Sequence, residues 1–480
     1  MLTGLWPIIV VVLELLFRLT FICFVLLRKR NMSSTLAWIV VILAVPLFGA
    51  ALYLMIGEIR LGRRNIQRHR EIVKRIQSSI PFTAAAATIM RAQVPSRFSH
   101  LAVLAEAVGD NDALGGNSLR LIGASDLFIQ ALVEDIDAAQ LHCHLLFYIF
   151  LDDHSGTRVA EALMRAAKRG VTCRLLVDGV GSKLFLRSAL RRQLAAAGVH
   201  VVEALAAHPL RMLLSRIDLR NHRKIVVIDG AISYTGSQNM ADAEFAIKPR
   251  YAPWVDAMVR IEGPITWDLQ VLFVEDWYLD TGESLEDLLH IQPLAHSDGV
   301  IAQVMGTGPN SFNEALRQLN QAAFHAAREE LIVTTPYFVP DEATLTALCT
   351  TARRGVDTML VVPARNDSPL IAAASRSHYP YLLECGVKIY EFQHGLLHAK
   401  TVTVDRDLAL VSTANLDRRS FELNFEVSLV VYDDDFASQL RFLQVGYISQ
   451  SRLVESVRWR RRPWPTRLCY NAAGTLSALL

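Results

Sequence analysis

Charge is scarce and evenly split in this chain. Only 20% of its 480 residues are charged, and 49 Lys and Arg against 47 Asp and Glu leave a formal net charge of +2. A balance this close gives no global attraction for a polyanion, so any cationic role has to be local. Cysteine is sparse and unpatterned: Cys23, Cys143, Cys173, Cys349, Cys385 and Cys469 include no CxxC pair. That excludes a disulfide framework or a zinc ribbon and fits a reducing compartment. What is abundant is apolar surface. At 52% hydrophobic residues the chain can fill two or three cores, is not disordered, and is too apolar for an ordinary cytosolic protein.

Much of that excess is concentrated near the start. Thr35 to Gly57 runs 23 residues without a charge, and Leu5 to Leu27 forms a second run of 23, interrupted only by Glu14 and Arg18. Those two lie four apart, so they can pair on one helix face. Both runs have bilayer-spanning length. Arg28, Lys29 and Arg30 lie between them, while Arg60, Arg63, Arg64, Arg68, Arg70, Lys74 and Arg75 follow. The excess of basic residues after the second run predicts a hairpin whose following chain lies in the cytoplasm. A cleaved signal peptide is the competing reading of residues 1–27, but no basic segment precedes the apolar stretch and no small-residue cleavage site follows it. A re-entrant or interfacial helix pair is a second alternative. At the other end, Arg458-Trp459-Arg460-Arg461-Arg462-Pro463-Trp464 precedes an apolar tail, Leu476 to Leu480. It suits either an anionic headgroup layer or a solvated basic tail.

The body between is duplicated. Arg165 to Val171 followed by CRLLVD recurs as Thr351 to Val356 followed by DTMLVVP; Tyr148 to Asp153 recurs as Tyr337 to Glu342; Gly198 to Glu203 recurs as Gly386 to Glu391. Each half alternates apolar strands with amphipathic helices that end in Arg-Gly, which predicts an α/β architecture with helices covering a parallel or mixed sheet. The join falls near His290 to Asn310, and the segment 61–115, with its run of alanines and mixed polarity, reads as a linker with undecided helix content.

One element recurs without any change of register. His222-x-Lys224-xxxx-Asp229 is followed by Gly236-Ser237-x-Asn239; His398-x-Lys400-xxxx-Asp405 is followed by Ser412-Thr413-x-Asn415. Residues at i and i+2 of a strand share a face, so each His points the same way as its Lys. Asp229, at an odd offset and directly before Gly230, falls on the other face or in the turn, which suits a structural ion pair or turn hydrogen bond rather than proton transfer. The apolar run 231–235 can carry Ser237 and Asn239 beside the first pair. Each half thus assembles an imidazole, an ammonium, a hydroxyl and an amide. Two imidazoles on pseudo-symmetric copies can meet across a shared cleft, one attacking phosphorus and the other protonating the leaving oxygen. Two ammoniums can hold the non-bridging oxygens, so the scheme requires no metal. A single histidine taken alone is more often structural; its duplication is what points to catalysis.

These motifs resemble those of the phospholipase D superfamily, and with the N-terminal hairpin the chain is similar to the bacterial cardiolipin synthases within it. The likeness extends to Tyr53-Leu54, Gly57-Glu58 and Leu61-Gly62, to Leu219 through Lys224, to Thr334 through Pro340, and to Asn415-Leu416-Asp417-x-Arg419-Ser420 with Leu423 to Glu426. It implies duplicated phospholipase D-like domains, a mixed sheet flanked by helices about a pseudo-two-fold, preceded by two transmembrane helices. It implies a catalytic set of His222, Lys224, Asp229, His398, Lys400 and Asp405, with His222 as the nucleophile that forms a phosphohistidine and His398 as acid, then base. Ser237, Asn239, Thr413 and Asn415 are expected to bind phosphate, with no cofactor and no metal. A downstream carboxylate is expected against each histidine to fix its tautomer: Glu426, at +28 from His398, for the second half, and Asp256, at +34 from His222, for the first, with Asp242 as its rival. Ser412 departs from the usual Gly; a torsion that only Gly adopts easily would strain the second motif.

The resemblance also implies phosphatidylglycerol and anionic membrane lipid as partners, no nucleic acid, and a multi-pass bacterial inner-membrane location with cytoplasmic catalytic domains. It divides the chain into an anchor (1–60), a juxtamembrane linker (61–115) and two phospholipase D-like domains (116–295 and 296–480). The rival functions are a hydrolytic phospholipase D, a phosphatidyltransferase with another alcohol acceptor, a nuclease, and a non-catalytic membrane scaffold. His142-Cys143-His144 lacks a second ligand pair for a metal, and Gly179 with Gly181 is too short a signature for nucleotide binding.

Overall fold

The computed structural model describes residues 2–28, 32–57, 63–79, 92–109, 111–205, 216, 218–245, 247–309 and 314–477. The first half contributes β1 (Leu114–Ile122), β2 (His142–Phe147), β3 (Thr172–Asp178), β4 (His200–Ala204), β5 (Arg220–Asn221), β6 (Ile225–Ile228), β7 (Ile232–Gly236), β8 (Trp254–Val255) and β9 (Met258–Glu262). The second contributes β10 (Val300–Thr307), β11 (Glu330–Thr334), β12 (Phe338–Val339), β13 (Asp357–Pro363), β14 (Lys388–Phe392), β15 (Leu396–Leu397), β16 (Thr401–Val404), β17 (Leu408–Ser412), β18 (Leu416–Asp417), β19 (Asn424–Val431) and β20 (Ser451–Leu453).

One continuous sheet joins the halves. Outward from the antiparallel pair β1–β10, one arm runs β9-β7-β6-β2-β3-β4 and the other β19-β17-β16-β11-β13-β14, with β20 added at the edge. The two arms repeat the same order of equivalent strands. β2, β3 and β4 pair in parallel, as do β11, β13 and β14, while β6 and β16 join their arms antiparallel, so the sheet is mixed. The parallel strands are connected through helices that the repeat foreshadows. Helix His154–Lys168 starts on Asp153, whose side chain accepts from the Gly156 N–H, and ends ahead of Gly170 at φ +92°. Its counterpart, Glu342–Arg353, starts on Asp341 and ends ahead of Gly355 at φ +88°. Side-chain capping at the start and a left-handed glycine after the end bound both helices.

Apolar packing ties the segment before β1 to both halves. Helix Arg63–Ser79 seats Ile72 and Ile76 in the core of helix Ile265–Thr281, and Arg68 Nη1 donates to Leu279 O at 2.7 Å. Phe98, Leu101 and Ala105 join the second half's core beside Phe324. The helix content left undecided over 61–115 includes Arg63–Ser79 and Ser99–Gly109, whose apolar residues recur at helical spacing and are buried. The alanine run, together with Lys29, Arg30 and Arg60, lies outside the described residues.

At the N-terminus, helix Leu2–Leu26 contains Trp6–Leu26, the one described stretch long and apolar enough to cross a membrane. Arg18 pairs with Glu14 at 2.6 Å on its surface. The second expected span is not one continuous helix. It divides into Met32–Ala44, Pro46–Leu52 and a π-turn at Tyr53–Gly57. Pro46 lacks an N–H and pushes Val45 out of helical geometry, to φ −138° and ψ 82°. The pieces still pack on the first helix through Val25, Trp38, Ile42 and Tyr53. At the C-terminus, Trp459 is buried against Tyr379, 4.7 Å between centroids, with the Arg462 guanidinium 3.3 Å over its ring. Of the two indoles in the Arg/Trp stretch, Trp459 therefore belongs to the core, and Trp464 is exposed.

Candidate active site

The His–Lys pairs stand where two short cross-half strand pairings hold them. β5 pairs in parallel with the start of β19, placing Arg220 opposite Asn424 and Asn221 opposite Phe425. The next N–H, that of His222, donates to Phe425 O at 2.9 Å. Glu426 follows in the chain, and both of its oxygens lie 2.9 Å from His222 Nδ1. On the other side β8 pairs in parallel with β15, Trp254 opposite Leu396 and Val255 opposite Leu397. The His398 N–H donates to Val255 O at 2.7 Å, and Asp256 Oδ1 lies 2.6 Å from His398 Nδ1.

Each histidine thus takes its carboxylate from the opposite half. The sequence-based pairing of Glu426 with His398 and Asp256 with His222 is exchanged, because the partner of each motif is set by strand pairing far along the chain, 204 residues for His222 and 142 for His398. Asp242 belongs to neither centre: it accepts the N–H groups of His154 and Ser155 at the start of a helix.

A carboxylate at Nδ1 fixes that nitrogen as the N–H donor and leaves Nε2 with its lone pair. The hydroxyls support the carboxylates. Ser237 Oγ donates to Asp256 at 2.6 Å and accepts from Ala257 N; Thr413 Oγ1 donates to Glu426 at 2.5 Å and accepts from Val427 N. Their expected place on phosphate is therefore corrected, since a hydroxyl proton given to a carboxylate is no longer offered to substrate. The asparagines differ. Asn239 Oδ1 accepts from Ile149 N at 3.2 Å, and Asn415 Oδ1 is buried without a partner among the described residues.

Lys224 Nζ donates to His222 O and Lys400 Nζ to His398 O, each at 2.7 Å. Burial lowers Lys224 to about 7 and Lys400 to about 8. Burial also lowers both histidines to about 4, each depressed further by both lysines and partly restored by its carboxylate. Glu426 and Asp256 remain below the usual carboxylate range: burial pushes them up, and the facing histidine and lysine outweigh it. The result is a compact centre of neutral imidazoles, easily deprotonated ammoniums and ionised carboxylates, suited to an entering anion.

Asp229 and Asp405 sit in left-handed turns at φ +54° and +52° and point away from the histidines. Asp229 accepts the N–H groups of Gln140, Leu141 and His142; Asp405 accepts those of Arg328, Glu329 and Glu330. Each fixes the start of the strand beside its motif.

Sequence reasoning missed the support beneath His222. Arg223 is buried, with Nη1 3.0 Å from both oxygens of Asp276, Nε on Glu426 O and Nη2 on Thr307 O. Asn221 Nδ2 also reaches Asp276, at 2.9 Å. The signal was present in the misalignment of the two copies, which have Asn221 and Arg223 in one and Leu397 and Ala399 in the other. Tyr148 meets the His222 ring edge-on at 4.9 Å, and Trp254 lies on His398 at 4.6 Å. Gly181 allows the close approach to Tyr148, since a Cβ there would stand 2.2 Å from its carbonyl oxygen. His142 and His144 stack at 4.3 Å and share Gln270. Among the described residues no cluster of three or more metal-type ligands occurs.

The Ser412 departure is accommodated. Gly236 has φ +147°, and a Cβ there would meet Ala257 O at 2.3 Å and Met258 Sδ at 2.8 Å. Ser412 lies outside the left-handed region and faces Ser428, with the two hydroxyls 2.8 Å apart. The small partner makes room for the extra hydroxyl.

Comparison with known proteins agrees with this geometry. Residues 132–277 and 321–442 match the family described as cardiolipin synthase, PLD-like domain, and residues 19–58 match the phospholipase D-nuclease N-terminal family. Cardiolipin synthase A of Yersinia pseudotuberculosis serotype O:1b is 41% identical, covering 92% of this chain and 91% of its own; that of Edwardsiella ictaluri is 39% identical with the same coverage. Among solved structures, the phosphatidylserine synthase of Haemophilus influenzae shares the fold at TM-score 0.60 and 15% identity, over 80% of this chain and 100% of its own. A doubled His–Lys centre in a doubled sheet, with identity to such relatives along nearly the whole chain, makes this protein a member of the phospholipase D-like cardiolipin synthase family.

Proposed function

We propose that the chain transfers a phosphatidyl group from one phosphatidylglycerol to the glycerol hydroxyl of another, giving cardiolipin and glycerol. The observation that carries this reading is the pair of histidines, each oriented by a carboxylate of the opposite half and flanked by a buried lysine, in a chain of this family. His222 Nε2 attacks phosphorus while His398 protonates the departing glycerol oxygen. His398 then removes the proton of the incoming hydroxyl as the P–N bond breaks and the new P–O bond forms. Lys224, Lys400 and the side-chain amides of Asn239 and Asn415 hold the non-bridging oxygens. The anionic phosphodiester raises the proton affinity of His398, which burial otherwise keeps neutral near pH 7.

The same centre could pass the phosphatidyl group to water or another alcohol. The apolar N-terminal helix favours a lipid acceptor, because confinement to a membrane raises the local concentration of lipid hydroxyls. In this reading residues 1–60 anchor the protein in a bacterial inner membrane as a kinked hairpin. The two catalytic domains face the cytoplasm on the side of the juxtamembrane arginines, and no nucleic acid takes part. Lipid mass spectrometry of membranes expressing the protein tests the activity. Cardiolipin should rise with the native chain and not with His222→Ala or His398→Ala; equal cardiolipin in all three would overturn it.

A further inference from the structure

The two faces of the centre carry different charge. At positions equivalent through the repeat, the His222 face has Arg220 and Arg419 where the His398 face has Leu396 and Ala243. Arg419 comes from the second half and crosses to the first: its Nη2 donates to Asp218 O, two residues before Arg220 and four before His222, and its Nη1 lies 3.9 Å from Asp218 Oδ2. Arg216 adds a third guanidinium, forked onto Asp218 through Nε and Nη2 at 2.5 and 2.9 Å. Two further carboxylates stand near: Asp178, which accepts the N–H groups of Val180, Gly181 and Asn221 and feels the charge of Arg220, and Asp417, which accepts the Ser420 N–H and feels that of Arg419. Arg220 is half-buried, with Nη1 2.6 Å from Leu219 O, and Arg419 has 41% of its side chain exposed. Arg220 stands on β5 two residues before His222, so the cluster borders the reacting centre; at Tyr148, whose ring meets His222 edge-on at 4.9 Å, burial and Asp178 push the hydroxyl up while Arg220 and Arg419 pull it down. On the opposite face His398 meets Trp254, which in turn packs on Phe245 at 4.1 Å.

Transfer between two phosphatidylglycerols requires two phosphodiesters in one site. The reacting one is taken up by the histidines and lysines, and the acceptor brings a second, joined to its attacking hydroxyl through a glycerol. We propose that Arg220 and Arg419 form this second phosphate subsite, holding the acceptor lipid by its phosphodiester and thereby selecting a phosphate-bearing acceptor over water or a neutral alcohol. This deepens the cardiolipin reading and rests on it. In the step so positioned, the P–Nε2 bond of the phosphohistidine breaks, the acceptor oxygen forms the P–O bond, and its proton passes to His398. A guanidinium matches a phosphate with paired N–H donors.

The test uses the full-length protein in mixed micelles with phosphatidylglycerol as donor and three acceptors, each labelled in its glycerol: phosphatidylglycerol, glycerol phosphate and free glycerol. Arg220→Gln/Arg419→Gln should lower transfer to the two phosphate-bearing acceptors, relative to free glycerol, by roughly tenfold or more, the loss of a charge-assisted contact. Arg419→Lys, which keeps the charge, should recover part of that ratio. Transfer to free glycerol also reports that the variants fold. An unchanged ratio, whether all three rates fall together or none does, overturns the subsite. A ratio that falls for phosphatidylglycerol but not for glycerol phosphate also overturns it, since the arginines then read something other than phosphate. A native enzyme that exchanges glycerol but forms no cardiolipin overturns the parent reading, and this subsite with it.

Discussion

The two sides of the centre share their reacting groups and differ in everything that surrounds them. His222 and His398, Lys224 and Lys400, Glu426 and Asp256, Thr413 and Ser237 repeat with nearly the same contacts. Around His222 stand Arg220, Asn221, Arg223 and Arg419; the corresponding residues around His398 are Leu396, Leu397, Ala399 and Ala243. In the proposed reaction, duplication keeps the two proton-handling imidazoles and leaves recognition free to diverge, since two substrates need not be held alike. The crossed carboxylates add a second lesson: neither half holds a complete His–carboxylate pair, so the centre exists only where the halves associate.

The largest effect expected is from the histidines. His222→Ala and His398→Ala should each lower kcat by roughly 10⁴-fold or more. With donor labelled in the phosphatidyl group, protein denatured in alkaline detergent should carry covalent label in the native chain and in Asp256→Asn, and none in His222→Ala. Label retained in His222→Ala and lost in His398→Ala would reverse the assignment of the two sides.

Next come the crossed carboxylates. Glu426→Gln and Asp256→Asn should each lower kcat by roughly 10²–10⁴-fold, because the amide no longer holds the Nδ1–H tautomer. Glu426→Gln should slow formation of the covalent intermediate through His222; pre-steady-state labelling would show this. An Asp256→Asn variant that alone slowed formation would mean that the pairings seen across the halves do not govern the reaction.

Arg223→Leu should destabilise the protein by about 3–5 kcal/mol, because it leaves the Asp276 carboxylate buried without its cation. Ala399→Gly, its counterpart, should cost about 1 kcal/mol. Denaturant unfolding compares them, and equal losses would remove the asymmetry in support.

The lysines give a pH signature. Their folded values, about 7 and about 8, lie below the ordinary lysine value of 10.5. As pH rises from about 7 towards 10, the folded state releases these protons before the unfolded state does, so stability should rise across that window. Lys224→Met should flatten the rise. An anionic phosphodiester favours the ammonium form, so its binding near pH 8 should take up protons, which titration calorimetry in two buffers of different ionisation enthalpy detects. Proton release would contradict the sign.

The smallest effect separates the two turns. Ser412→Gly should change stability by no more than about 1 kcal/mol, whereas Gly236→Ser should cost about 1–3 kcal/mol from its torsion and the contact with Ala257 O. Thermal unfolding of the two variants tests the pair.

Much of this architecture was legible in the sequence because it depends on near neighbours. The Arg-Gly helix ends, the apolar strands and the i, i+2 placement of each His and Lys follow from local periodicity and turn chemistry. The break at Pro46 was equally local, but the uncharged run around it masked the lost N–H. The exchange of Glu426 and Asp256 left no such trace. β5, β8 and β15 are two residues long, too short for any pattern, and their partners lie far along the chain. The burial of Trp459 likewise depends on Tyr379, in a helix some 80 residues earlier.

By itself, then, the sequence determined that there are two copies of one chemical unit, which side chains each copy carries, and that an apolar segment precedes them. Those properties are written in spacing, and spacing acts through the strand and helix geometry of adjacent residues. Only the tertiary structure decided which carboxylate meets which histidine, that Ser237 and Thr413 serve those carboxylates, and that Arg419 of one half stands beside His222 of the other. These are contacts between strands and loops distant in sequence, selected by the packing of two halves about one sheet, and that packing fixes distances that no local pattern encodes.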